Sequence, residues 1–154
     1  MITIQTDDFD LAEEYRNLRS VAGDAGAIVT FTGLVRELYN PADSESDKIQ
    51  TLFLEHYPGM TEKCLQQICD QANKKWPLLA TRIIHRVGEL SAKEQIVFVG
   101  TASAHRSDAF ESAQFMMDYL KSNAPFWKKQ SSGGQSSWVD SKQTDKDALK
   151  RWQG

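Results

Sequence analysis

The sequence has few cysteines, no long apolar run and no excess of basic charge, and each shortage excludes a class of protein. The two cysteines, Cys64 and Cys69, lie five apart in a segment of helical pattern and outside any CxxC pair. We therefore expect neither a disulfide framework nor a zinc site. No apolar stretch approaches the roughly 18 residues of a membrane span, and the N-terminus lacks the basic-then-apolar order of a signal peptide. A reducing, cytosolic setting is predicted.

The charge balance and the motifs exclude further functions. A formal net charge of -3 gives no global reason to expect nucleic acid or an anionic membrane as partner, so any anion site must be local. The sequence contains no Walker loop, no GxSxG elbow, no HExxH pair and no GxGxxG turn. We expect no cofactor and no metal.

The pattern of apolar residues predicts one mixed α+β domain across residues 1–154. The segments around 38–49 and 130–137 are rich in Ser, Gly, Pro or Asp and are predicted to be mobile loops. The polar connection GELSAKE between the predicted strands 80–87 and 95–102 suits a hairpin, whose register is not readable from the sequence. The predicted strands are 2–5, 27–31, 51–57, 80–87, 95–102 and a short one near 138–139, and the predicted helices begin near 10, 61, 108 and 144.

The third helix carries an unusual lysine. Asp108 and Glu111 form a capping-box pattern at its start, and Phe110, Ala113, Met117 and Leu120 are predicted to form its buried stripe. Lys121 follows Met117 by four residues and so shares that stripe. Such a lysine either snorkels outward along its methylenes or is held in a cleft as a proton carrier.

Basic residues gather at both ends of this helix. His105 and Arg106 stand where free N–H groups and a partial positive charge favour a bound phosphate or carboxylate, although a solvated turn is the simpler interpretation. Lys128 and Lys129 follow the break at Pro125, which prevents their position relative to Lys121 from being read from helical period. The segment from His105 to Lys129 is thus predicted to hold an anionic substrate. Two interpretations are open for the aromatic residues Phe115, Phe126 and Trp127: they are part of the core, or they form a surface for a planar ring. Two are also open for Glu55 and His56, which are either structural residues or an acid–base pair.

Several sequence blocks carry a more specific signal. GAIVTFTGLVR, LEHYPGMTEK, HRVGEL, IVFVGTASAHR, AFESAQFMMDYLK, APFWKK and WVD occur in this order between about Gly26 and Trp152. In their order and spacing they resemble the large, catalytic subunit of molybdopterin synthase, the MoaE family. The resemblance implies an α/β hammerhead fold with an additional small antiparallel β-sheet.

The same resemblance implies an activity and its partners. Members of this family convert cyclic pyranopterin monophosphate into molybdopterin by inserting two sulfurs, which form the dithiolene that later holds molybdenum. The sulfur arrives as a thiocarboxylate on the C-terminal Gly-Gly of a small ubiquitin-like carrier subunit. Two large subunits form a central dimer with one carrier at each end, which makes a heterotetramer.

The resemblance also implies roles for individual residues. Lys121 in DYLK and Lys128 in PFWK match the two catalytic lysines of the family, and Lys121 is expected to manage protons during sulfur transfer. The positions that match substrate-binding ones are Phe31, Leu34, Val35, Arg36, His105, Arg106, Met117, Lys129, Gln130 and Lys142.

Three of these positions depart from the family pattern. Leu34 replaces a basic residue of some members, Gln130 an acid, and Lys142 an arginine that reaches the partner subunit's site. Lysine keeps the charge but loses the two-pronged contact that arginine makes with phosphate. Two other functions remain open: a noncatalytic adaptor that binds a ubiquitin-like tail, and a different enzyme that acts on a phosphorylated heterocycle.

Overall fold

The computed structural model describes residues 1–36, 51–132, 135–139 and 143–153. The predicted loop at 38–49 and Lys142 lie outside these ranges. In chain order the elements are β1 (Ile2–Gln5), α1 (Leu11–Ala22), β2 (Ala27–Leu34), β3 (Thr51–His56), α2 (Met60–Lys75), β4 (Leu78–Arg86), β5 (Gly88–Ser91), β6 (Gln95–Ser103), α3 (Arg106–Asn123), β7 (Phe126–Ser132), β8 (Gln135–Val139), α4 (Gln143–Ala148) and a 3₁₀ helix (Leu149–Trp152).

The first sheet has the strand order β1-β4-β6-β2 and forms the centre of the fold. β1 runs parallel to β4, and the other neighbours are antiparallel. β6 was predicted to lie in the middle of a sheet with both faces covered, and this is confirmed: it lies between two strands, and every residue after Gln95 is buried. Its continuous apolar character reflects that environment.

The second sheet, with the order β5-β3-β7-β8, is antiparallel throughout. This confirms the predicted α+β fold with a small antiparallel sheet. The predicted hairpin is confirmed, because β4 and β6 are antiparallel neighbours; the first residues of the GELSAKE connection also form β5, which pairs with β3. The prediction of a loop at 130–137 was wrong, since β7 continues to Ser132 and β8 begins at Gln135.

The helix α3 buries only part of its predicted stripe. It begins at Arg106, two residues earlier than predicted, with His105 as its N-cap residue. Ala113 and Leu120 are buried as predicted, but Phe110 is 62% exposed, and Ala109 and Met116 are buried in addition. The Thr101 hydroxyl donates to the Ala109 carbonyl at 2.7 Å, so the helix approaches β6 closely along its small residues.

The first two helices follow the sequence pattern. Asp10 caps α1, because its side chain accepts a hydrogen bond of 3.0 Å from the Glu13 amide. In α2 the residues Leu65, Ile68 and Ala72 are buried in the main core, as predicted. Within the described ranges, none of the helices is long and apolar enough to cross a membrane.

Candidate active site

The face of α3 that carries Met117 and Lys121 lines an open groove of about 320 Å³. The sequence pattern correctly predicted that these two residues share one face of the helix. That face lines the groove, however, and is not buried in the core. Lys121 is accordingly exposed, and Phe31 on β2 is 43% exposed on the opposite wall. The lining residues are Val29, Thr30, Phe31, Phe110, Ala113, Gln114, Met117, Asp118, Lys121, Asp145 and Ala148.

The C-terminal segment supplies one wall of this groove. Asp145 and Ala148 belong to α4, and the Ser122 hydroxyl donates to the Asp145 carbonyl at 2.8 Å. The segment is held further along by Trp152, whose indole N–H donates to the Asp118 carboxylate at 2.7 Å. The groove is therefore closed on one side by Asp145 and Ala148, which follow Lys121 by 24 and 27 positions in the sequence.

A buried histidine lies beside the lysines. His85, near the end of β4, is 6% exposed, and its ring stacks on Phe126 with the centroids 3.9 Å apart. The pKa of His85 is lowered to about 3, chiefly by burial; the hydrogen bond to the Arg86 carbonyl opposes this shift, and the charges of Lys121, Lys128 and His56 contribute to it. The imidazole is therefore neutral near pH 7. The influence of both lysine charges on this pKa is consistent with the end of α3 and the start of β7 lying near the ring.

Strand register explains how Lys128 reaches this place. Lys128 follows Phe126 by two residues, so the two side chains share a face of β7. In the pairing of β3 with β7, His56 stands opposite Phe126 and Leu54 opposite Lys128. His56 also lies 3.3 Å from the Glu62 carboxylate, which supports a structural role for this histidine. Lys128 is thus on the inward face together with the residues that cover His85.

Arg36 is held at the same end of the first sheet. It follows β2, whose last residue pairs with the first residue of β6. The Val35 amide donates to the Glu94 carbonyl at 2.9 Å, and the Lys93 amide donates to the Val35 carbonyl at 2.7 Å. Val35 itself is buried in the core, which makes it a support for Arg36, while Leu34 is 55% exposed. Arg36 is exposed.

His105 and Arg106 lie at the other end of the molecule. The helix between Arg106 and Lys121 rises about 22 Å, since each residue adds about 1.5 Å. Both residues are exposed at the end of β6, next to the start of β2. The expectation that the segment from His105 to Lys129 forms one surface is therefore wrong within a single chain. The length of α3 separates the basic residues at its two ends.

The remaining predicted residues are Lys129, Gln130 and Lys142. Lys129 alternates with Lys128 along β7 and so points to the opposite face, with Phe53 as its pairing partner. Gln130 pairs with Leu52 and Ser137 in the second sheet. Lys142 lies outside the described residues.

A second, larger depression of about 600 Å³ lies between α1 and the start of β2. Arg16, Arg19 and Gly26 are among its lining residues. It contains none of the residues expected to act in catalysis. The smaller groove is the better candidate, because Phe31, Met117 and Lys121 meet there.

Comparison with known proteins identifies the family of this chain. The family model described as "MoaE protein" matches residues 4–123. The chain belongs to the MoaE family. The molybdopterin synthase catalytic subunit of Escherichia coli K12 is 50% identical over 151 residues, which cover 98% of this chain and 97% of the relative. The corresponding subunit of Vibrio cholerae is 47% identical over 152 residues, with coverage of 99% and 97%.

Solved structures of family members share the fold. The molybdopterin biosynthesis MoaE protein of Burkholderia ambifaria superimposes with a TM-score of 0.83 at 47% identity, covering 99% of this chain and 97% of that one. The agreement extends over nearly the whole chain, both sheets included. The family assignment therefore rests on sequence and on architecture together.

Sequence reasoning missed His85 as a residue of this region. It stands in the block HRVGEL, whose strand pattern marks it as buried. Because histidine is less often fully buried than apolar residues, a histidine in a buried strand indicates a position with a specific role. The lysines that surround it come from elements some 36 and 43 positions further along the chain, which no local pattern connects.

Proposed function

We propose that this chain is the catalytic subunit of a molybdopterin synthase. It converts cyclic pyranopterin monophosphate into molybdopterin with sulfur from the thiocarboxylated C-terminus of a small ubiquitin-like carrier. The observation that carries the proposal is the groove lined by Phe31, Met117 and Lys121, in a chain of this family. The relatives' designation as a catalytic subunit is consistent with a second, sulfur-carrying subunit.

The positive groups suit a reaction between two anions. Arg36 and Lys128 neutralise the substrate phosphate and the incoming thiocarboxylate, so that both can enter one groove. Lys121 acts as the proton carrier while sulfur adds to the pterin side chain, and stabilises the acyl group left on the terminal glycine of the carrier. Phe31 and Met117 provide apolar walls for the pterin ring.

The central dimer of the family gives His105 and Arg106 a role despite their distance from Lys121. In a two-fold dimer, the α3 N-terminus of one copy can face the groove of its partner. His105 and Arg106 then bind the substrate phosphate in the other copy's site, and Lys129, Gln130 and Lys142 border the path of the carrier tail. The whole assembly works in the cytosol.

The direct test mixes the pure chain with cyclic pyranopterin monophosphate and thiocarboxylated carrier, and measures dithiolene product by mass spectrometry. We expect product only when all three are present. Product formed without any protein sulfur donor would instead support a different enzyme acting on a phosphorylated heterocycle. Carrier binding without any product would support the noncatalytic adaptor.

A further inference from the structure

The turn at residues 91–95, between β5 and β6, contains a backbone conformation that side chains seldom allow. Lys93 has a φ of 75°, in the left-handed region, and within the described ranges it is the one residue other than glycine with a positive φ. Such a conformation costs free energy and persists only where the surrounding structure holds it. The contacts of this 91–95 turn show which part of the chain it serves.

The 91–95 turn holds the chain on both sides of Val35. The Val35 amide donates to the Glu94 carbonyl at 2.9 Å, and the Lys93 amide donates to the Val35 carbonyl at 2.7 Å. Val35 is also buried, at 7% exposure, so its side chain is fixed in the core. Because its amide, carbonyl and side chain are all held, the next residue, Arg36, leaves the first sheet from a fixed point.

A buried guanidinium supports the turn in its place. The Glu94 carboxylate accepts a hydrogen bond from the Ser91 amide and lies 3.4 Å from the Arg86 guanidinium. Arg86 also donates to the Gln95 carbonyl at 2.9 Å and to the Thr6 carbonyl at 3.0 Å. Arg86 is only 6% exposed, so its charge needs these acceptors in order to be buried. The turn is thus tied to β4 and to the residue that follows β1.

The pairing of β2 with β6 is irregular beside the turn. Gly33 pairs with Val97 but Leu34 pairs with Gln95, so β6 has one extra residue here, as in a β-bulge. A Cβ atom on Gly33 would lie 2.7 Å from a Val97 methyl carbon, so the two strands approach too closely for a side chain at this position. Bulges bend a strand and redirect the side chains near them. The irregularity and the turn therefore act on the same point, the end of β2.

We propose that Lys93 and Glu94 are positioning residues of the candidate active site, which fix the point from which Arg36 reaches the substrate phosphate. An exposed arginine on a loose segment would lose much conformational freedom on binding an anion, and this loss weakens binding. A fixed backbone removes part of that cost, which is a reason for a strained residue in the turn. This inference rests on the proposed role of Arg36.

Two pairs of substitutions separate the hydrogen bonds of the turn from the charges of its side chains. Lys93→Pro removes the amide that donates to Val35 and forbids a positive φ, whereas Lys93→Gly removes the same charge but keeps the amide and the conformation. Glu94→Ala removes the acceptor of the Ser91 amide, whereas Glu94→Gln keeps an acceptor without the charge. In each pair, only the first variant should loosen the chain at Val35.

The binding of cyclic pyranopterin monophosphate to the full chain, measured by calorimetry without the carrier, tests the effect on Arg36. Arg36→Ala should raise Kd about tenfold to a hundredfold, the range for a hydrogen bond to a charged group, and Lys93→Pro and Glu94→Ala about threefold to tenfold. Lys93→Gly and Glu94→Gln should recover most of the affinity. In an Arg36→Ala background, Lys93→Pro should raise Kd by less than about twofold, because the group that it positions is absent.

Hydrogen exchange at the Val35 amide, followed by NMR, reports on the turn without any ligand. Exchange should be faster in Lys93→Pro and Glu94→Ala than in Lys93→Gly and Glu94→Gln. Glu14→Ala is the control: it breaks the ion pair of Glu14 with Arg82, at 3.1 Å, between α1 and the same sheet. It should change neither the exchange at Val35 nor Kd.

Three results would overturn the positioning role: exchange at Val35 that neither variant accelerates, faster exchange with an unchanged Kd, or a rise in Kd that is as large without Arg36 as with it. Should Lys93→Pro not fold, the two Glu94 variants carry the same test. A wild-type protein that binds the pterin phosphate but yields no dithiolene product with the carrier would refute the proposed function. The Kd comparisons would still decide the role of Lys93 and Glu94.

Discussion

The indole N–H of Trp152 donates to the Asp118 carboxylate across 2.7 Å, which ties the C-terminal 3₁₀ helix to the middle of α3. The other oxygen of Asp118 accepts from the Gln114 amide at 2.9 Å. The Trp152 ring packs against Trp76 and Phe115 with centroids 5.7 and 5.4 Å away. A largely buried carboxylate on the groove therefore depends on a residue close to the end of the chain.

We expect Trp152→Phe to lower the free energy of unfolding by about 1–2 kcal/mol, because the ring packing is kept but the buried Asp118 oxygen loses its donor. Urea denaturation followed by far-UV circular dichroism measures this change. Trp127→Phe is the matched control, since Trp127 is 44% exposed and the substitution should change stability little. Equal losses in the two variants would contradict the anchoring role of Trp152.

The two candidate catalytic lysines should have distinguishable effects. Lys121→Ala should reduce kcat at least about a hundredfold, the contribution expected of a positioned proton carrier, and leave carrier binding intact. Lys128→Ala should chiefly raise KM, because it removes charge that neutralises the bound anions. Rapid-quench product analysis and calorimetric carrier titration measure the two effects. Lys74→Ala, on the exposed side of α2, is the control and should leave both kcat and KM unchanged. Near-normal turnover of Lys121→Ala would show that Lys121 has no part in the mechanism.

The α3 helix shows what the sequence could and could not predict. Its existence and its end before Pro125 followed from pattern and from proline chemistry. Its buried face followed only in part: Ala113 and Leu120 are buried as predicted, but the small Ala109 and Ser112 are also buried, while the larger Phe110 and Met117 border the groove. A large apolar side chain indicates a buried position only where it does not instead line a surface that binds a ligand or partner.

The candidate site was predictable in part. Phe31, Met117 and Lys121 meet in one groove, as the resemblance implied. The approach of Lys128 was not predictable, because Pro125 changes the chain from helix to strand and the register of β7 is set by a strand over seventy residues earlier. The distance of Arg106 from Lys121 follows from the length of a continuous helix and was derivable from the predicted bounds.

The stability of the protein should depend on pH through His85. The pKa of His85 is about 3 in the folded chain and near 6.5 in the unfolded one, so between these values the unfolded state binds the extra proton. Stability should therefore fall as the pH drops below about 6.5, by up to about 1.4 kcal/mol per pH unit. Urea unfolding from pH 7 to pH 4 measures the slope. His85→Phe should have a shallower slope than the wild type, and parallel slopes would mean that His85 is protonated in the folded state.

Subunit mixing can test whether the two ends of α3 act in one site. If Arg106 of one copy serves the groove of the other, Lys121→Ala and Arg106→Ala dimers are each inactive, but a mixed dimer contains one site with both residues. Unfolding and refolding an equal mixture should then recover about a quarter of the wild-type activity, since half of the dimers are mixed and each has one intact site. A mixture of Lys121→Ala with Lys128→Ala should be no more active than the same amounts of the two unmixed variants, because both lysines belong to the same copy's site. Absence of recovery in the first mixture would place Arg106 outside the partner's groove, whereas recovery in both would mean that Lys128, too, crosses between copies.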